Sequence, residues 1–153
     1  MCKKVNLSFE WKRVTKTVAH FRMIVGADVF DFDATDLNDS VGELARATAL
    51  AALDGKIARV TFENEPGEHI LELNPLGDGR VDLMLYWDAN SYGLFKERQT
   101  AAKMFSGRVD GDALVSAVLL VLGAVKEKCR KGGVTVGKYR FPDEEFGRLR
   151  NSS

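Results

Sequence analysis

A chain of 153 residues with 45% hydrophobic and 29% charged side chains and only 3 Pro has the composition of an ordinary globular protein, which excludes the disordered and fibrous classes. It is long enough to bury about two-thirds of the surface of its unfolded form, so one α+β domain over residues 1–153 is the economical organisation. The net charge of zero is a cancellation: Lys and Arg stand 6 against 1 acid over residues 1–25, 4 against 14 over 26–91 and 12 against 7 over 92–153, a pattern that bears on association more than on fold.

Val5, Leu7, Phe9 and Trp11 alternate with Asn6, Ser8, Glu10 and Lys12, which predicts a half-buried strand at about 4–15. The charges in this stretch interrupt the apolar run that a secretory signal needs, so a cytoplasmic location is expected. Ala19, Phe21, Met23 and Val25 continue the alternation in a strand at about 17–25, "VGAD" supplies a two-residue turn with Gly26 at its first central position, and a third strand follows at about 28–35. The period then changes. Ser40 and Glu43 have the spacing of a capping box, Val41, Leu44, Ala47, Thr48 and Ala51 share one face, and Gly55 suits the stop, predicting a helix at about 40–54.

Three alternating runs come next, "KIARVTFENE", "EHILELNPLG" and "RVDLMLYWDA", joined into hairpins by "EPGE" and "PLGDG". "NSYGLFKERQ" has no period and reads as a loop, and "TAAKMFSGRV" as one more strand. From Asp110 or Asp112 to Lys131 a second helix is expected, with acids at its start, "KEKCRK" at its end as the helix dipole favours, and Gly132-Gly133 as its stop. Its apolar run, Ala113 to Val125, is shorter than the ~20 residues of a membrane span. Apolar residues cover nearly its whole circumference, which predicts the central helix, packed on the sheet. Pro142 opens a short C-terminal helix. Most connections between strands are too short for parallel crossovers, so the class is α+β: a largely antiparallel sheet of about six or seven strands against two main helices.

Few residues form chemical motifs. "VFDFDATDL" resembles the acidic phosphate-transfer motif of haloacid dehalogenase-like phosphatases, and that resemblance makes Asp31 a nucleophile, Asp33 an acid/base and both of them Mg²⁺ ligands. "GDGRVD" (77–82) is similar to the later acidic motif of that family. The surroundings point elsewhere, because that motif ends a buried parallel strand whereas Asp31 and Asp33 here alternate with Phe30, Phe32 and Ala34 just after a hairpin turn. The expected arrangement is Phe30 and Phe32 in the core and both acids in solvent, without catalytic residues, metal or cofactor; a small Mg²⁺-dependent phosphatase is the alternative. His20 and His69 lie in strands without neighbours at ligand spacing. Cys2 and Cys129 have no metal-type spacing. Ser40 is a cap rather than a nucleophile. The acid pairs Glu63/Glu65 and Glu68/Glu72 alternate with apolar residues as a half-wet sheet would make them.

Tyr86, Trp87, Tyr92 and Phe95 surround the irregular stretch after the sixth strand and offer anchors for recognition if exposed. Lys96, Arg98, Lys103 and the bases from Lys126 to Lys131 could serve nucleic acid, but the neutral total charge and the lack of a compact reading motif argue against it.

The order of the acidic start of the first helix, "ENEPGEHILEL", "FSGRVDGDALV", a long helix and "YRFPDEEF" resembles small uncharacterised bacterial α+β proteins. Size and charge organisation also resemble the general style of immunity proteins that neutralise contact-delivered toxins. That resemblance implies a non-catalytic, protein-binding module taking a basic partner on an acidic surface. The candidates are Asp28, Asp31, Asp33, Asp36 and Asp39, with Tyr92 and Phe95 as anchors; an acidic, solvated face without a partner is the competing expectation.

Overall fold

The computed structural model describes residues 6–64, 67–89, 102–129 and 135–153. Cys2, the turn residues Glu65 and Pro66, Tyr92, Phe95, Lys96, Arg98 and the expected helix stop at Lys131 to Gly133 lie outside the described residues. The elements are β1 (Leu7–Arg13), β2 (Val18–Val25), β3 (Asp28–Thr35), α1 (Ser40–Ala52), β4 (Ala58–Asn64), β5 (Gly67–Pro75), β6 (Arg80–Asp88), β7 (Ala102–Asp110), α2 (Gly111–Lys128) and α3 (Asp143–Ser152). The fold is α+β, as the short connections require. Among the described residues seven strands are divided between two antiparallel sheets, β1-β2-β3 and β4-β5-β6-β7.

The β2–β3 turn is the one the sequence predicts. Gly26 takes a φ of 62°, which costs glycine no steric clash, and Val25 pairs with Asp28 across a two-residue loop. Alternation then turns Phe9, Trp11, Ala19, Phe21, Met23, Phe32 and Ala34 to one face of the first sheet, where all are buried. They meet the inner face of the second sheet, built from Val60, Phe62, Leu71, Leu73, Leu83 and Leu85. The Phe62 ring joins the two, 4.9 Å from Phe21 and 4.5 Å from Phe32. Burying one such side chain contributes about 1.5–3 kcal/mol.

Between the sheets, β3 and β4 are adjacent without forming a ladder, and side chains do what a ladder would do. Asn38 Nδ2 donates to the carbonyl of Thr61 at 2.6 Å, and its Oδ1 accepts from the N–H of Glu63 at 3.3 Å. Glu43 Oε1 accepts from the N–H of Thr61 at 3.2 Å, and the Thr35 hydroxyl donates to the carbonyl of Glu63 at 2.9 Å. The exposed edge of β4 is thereby satisfied and blocked against further strand pairing.

This arrangement corrects the expected capping box. Glu43 is engaged with β4, and the helix start is capped by Asp39, whose carboxylate accepts from the N–H of Gly42 at 3.0 Å. Ser40 is the first helical residue and is buried. The long helix packs on the sheet as expected, but it is not buried all round. α2 packs chiefly on β1 and α1, and α1 on β4. An apolar circumference therefore leaves Leu120 75% exposed, because only the side bearing Leu114, Val118, Val121, Leu122 and Val125 faces the core. α2 ends at Lys128, with Cys129 as its cap. No helix among the described residues is long and apolar enough to cross a membrane. α3 begins after Pro142, seats Leu149 in the core and joins Arg148 to Asp54 beyond α1.

Candidate partner-binding face

The alternation that buries Phe21 and Phe32 turns His20, Arg22, Asp31 and Asp33 outward. Register does the rest. Glu10, Arg22 and Asp31 form one row across β1, β2 and β3, Lys12, His20 and Asp33 the next, and Ser8 with the apolar Ile24 and Val29 a third on the other side of the first. Arg22 Nε donates to Asp31 Oδ1 at 2.8 Å, and its Nη1 lies 3.7 Å from Glu10 Oε2. His20 bridges the two acids, with Nδ1 2.9 Å from Asp33 Oδ1 and Nε2 3.1 Å from Asp31 Oδ1. Both ring nitrogens donate at once only in the imidazolium form.

The bond to Asp33 is the largest influence on His20 and, with Asp31, raises its pKa above the ordinary value in spite of some burial. The bond from Arg22, followed by that from His20, holds the Asp31 carboxyl below the usual range, and Asp31 in turn raises the Arg22 pKa. Side-chain exposures of 37% to 45% across His20, Arg22, Asp31 and Asp33 leave these charges well hydrated, so they contribute little to stability and remain available to another molecule.

The phosphatase arrangement is not assembled. Asp31 and Asp33 stand within an antiparallel strand rather than at the end of a parallel one, and Thr35 is bonded to β4. "GDGRVD" forms the β5–β6 turn and the start of β6, where Asp78 pairs with Arg80 and Asp82 with Arg108. No group of three His, Cys, Asp or Glu side chains among the described residues is disposed to hold a metal ion. An imidazole between two carboxylates in open solvent suits electrostatic recognition.

The other candidate acids do not gather at this place. Asp28 begins β3 and is exposed; Asp36 lies beyond its far end, exposed, with its Cβ against Gly137; Asp39 is the cap of α1 and stands 3.7 Å from Arg46. With about 3.3 Å per residue, Asp28 and Asp36 are roughly 26 Å apart along the strand. Neither makes an ion pair among the described residues. Of the aromatic group, Tyr86 is on the outer face of the second sheet with its hydroxyl 3.4 Å from Met84 Sδ. Trp87 turns inward against His69, whose ring is held between Trp87 at 4.6 Å and Phe32 at 5.0 Å. Burial lowers the His69 pKa, which favours the neutral form of this half-buried ring. Glu72 pairs with Arg59.

Reasoning from sequence spacing missed His20 and Arg22 as partners of the two acids, although a signal was available. Once "VGAD" is a two-residue turn, Val25 faces Asp28, and counting outward sets Arg22 opposite Asp31 and His20 opposite Asp33. The same counting finds Glu63, Glu68 and Asp88 in one row across β4, β5 and β6, with Glu68 and Asp88 buried.

No protein-family model matches the chain, and no curated protein sequence matches it. Among solved structures the chain is similar to one from the CdiA-CT/CdiI toxin and immunity complex from Enterobacter cloacae, with a TM-score of 0.49 and 8% sequence identity, over 76% of this chain and 99% of that chain. A likeness of that size carries no argument about function.

Proposed function

We propose that this protein is a non-catalytic binding module that takes a basic protein partner on the outer face of the first sheet, in the manner of an immunity protein occupying a toxin. The observation that carries the reading is the uncovered face itself. Val29, Asp31 and Asp33 stand in line on β3, with Val29 53% exposed and both carboxylates close to half exposed. Ile24 and Val29 beside the charged rows give the face a small apolar centre with a charged rim. The negative charge belongs to β3, where Asp28 adds a carboxylate at the β2–β3 turn to Asp31 and Asp33, while Arg22, His20 and Lys12 stand on the neighbouring strands. A nuclease must present cations to a phosphate backbone, and carboxylates on a firm strand steer such a surface and compete for it. Arg22 and His20 hold the acids in place in the free protein, and a partner's Arg or Lys would share Asp31 and Asp33 with them.

The test is a pull-down from native host lysate with the tagged protein, eluted in steps of rising salt, beside the double variant Asp31→Lys/Asp33→Lys. The expected result is a stoichiometric basic protein released by salt from the wild type and absent from the variant. A partner retained equally by both proteins, or one that salt does not release, would overturn the proposal.

A further inference from the structure

A second charged surface lies at the opposite end of the β2–β3 hairpin from Asp28. Lys12 and Arg13 end β1, Lys16 lies in the β1–β2 turn, Lys128 ends α2 and Lys138 follows Gly137; all five are exposed. They belong to the two segments that each carry a net charge of +5. The fold joins these segments. Gly137 donates its N–H to the carbonyl of Lys16 at 2.7 Å, and a Cβ placed on Gly137 would lie 2.6 Å from the Cβ of Asp36, so the turn before α3 is set tightly against this end of the sheet. Lys128 Nζ stands 5.9 Å from the centre of the Trp11 ring in β1. Burial pushes the Cys129 thiol up, and the charge of nearby Arg13 opposes the shift, which puts β1 and the end of α2 side by side.

These five cations differ from most others on the surface. Arg22, Arg46, Arg59, Arg80, Arg108, Lys126 and Arg148 each have a carboxylate within 4 Å. Lys12, Arg13, Lys16, Lys128 and Lys138 make no ion pair among the described residues; Asp36 lies against Gly137 beside Lys138, Glu10 shares the outer face of β1 with Lys12, and Glu127 precedes Lys128. Lys12 turns to the outer face of β1 while Arg13 and Lys128 lie on its α2 side, so these cations surround the end of β1 rather than share one face; unpaired like charges around one end of the sheet raise a positive potential that a polyanion relieves.

We propose that this pole binds the phosphate backbone of single-stranded nucleic acid. A folded acidic protein needs an apolar centre to match, and among the described residues the patch offers Val14 as its one large exposed aliphatic side chain, whereas a flexible phosphodiester chain needs none and can reach cations on three separate segments. The partly exposed Tyr139 ring, with Lys138 Nζ 5.9 Å from its centre, adds a surface on which a base can stack. Zero net charge does not weigh against this, because a phosphate chain senses the local field.

Fluorescence anisotropy with a labelled oligouridylate tests the proposal on the full chain. About four phosphate contacts on a single strand give a slope near −3 for log affinity against log salt, a loss of roughly 50-fold between about 50 and 200 mM. Lys16→Glu/Lys138→Glu should weaken binding by at least about tenfold, while Lys56→Glu/Arg59→Glu, a reversal of cations elsewhere, should change it by less than about twofold. Circular dichroism melts check that both variants are folded. Asp31→Asn/Asp33→Asn should leave oligouridylate binding unchanged, which keeps this result separate from the basic-partner reading. Absence of binding at low salt, a flat salt dependence or equal loss in both reversals would refute the proposal. So would equal affinity for polyglutamate, or capture by phosphatidylserine vesicles without oligonucleotide binding.

Discussion

Asn38→Ala removes the side chain that stands in for a strand beside β4. In the folded protein that amide donates to the carbonyl of Thr61 and to Glu43, and accepts from the N–H of Glu63. A net hydrogen bond contributes about 1 kcal/mol, and a partly buried backbone group left without a partner costs at least as much, so the loss comes to about 2–3 kcal/mol. For a domain of this length that is a fall of about 5–10 °C in Tm. Urea denaturation should show a lower midpoint with an unchanged slope, since the surface exposed on unfolding is the same. Asn38→Asp should be worse at neutral pH. It keeps an acceptor for Glu63 N–H but sets a carboxylate beside Glu43 and the Thr61 carbonyl, which raises its folded pKa above the unfolded one. That deficit shrinks as pH falls through the raised pKa. A loss below about 0.5 kcal/mol in Asn38→Ala would show that water replaces the amide and that the edge of β4 does not depend on it.

Phe62→Ala, at the junction of the two sheets, should cost about 3–5 kcal/mol in the same assay, and a loss near that of a surface substitution would contradict the packing of Phe62 on Phe21 and Phe32. Gly26→Ala forces a Cβ into a φ of 62° and should cost about 1–2 kcal/mol; a neutral result would mean that the β2–β3 turn is of another type. The NMR titration of His20 should lie above its ordinary pKa, and Asp33→Asn should lower it more than Asp31→Asn, since the Asp33 bond is the larger influence. Because the folded value is the raised one, the stability due to His20 is present below the unfolded pKa and is lost as pH rises through the folded one. His20→Gln should remove that slope, and an unaltered slope would place it elsewhere.

Local chemistry determined a large part of this protein. Alternation in "VNLSFEWKRV" and "HFRMIVGADVFDFDAT" assigned the buried and wet faces of β1 to β3, since a strand repeats every two residues whatever it packs against. "VGAD" determined a turn and with it a register, and short connections determined an antiparallel class. The same alternation told that Asp31 and Asp33 point to solvent. What lay beyond reach were contacts whose strength depends on neighbours distant in sequence. "NDSVGE" holds two residues able to cap a helix, and the choice of Asp39 was made by β4, which engages Glu43. The apolar circumference of α2 spoke for a buried helix, yet only tertiary packing decided that Leu120 stays in water. Net charge by segment announced two basic stretches and one acidic stretch, but charge interacts through space. Folding drew the outer acids Asp28 and Asp36 to opposite ends of one strand, and it brought Lys16 and Lys138, 122 positions apart, to the same pole.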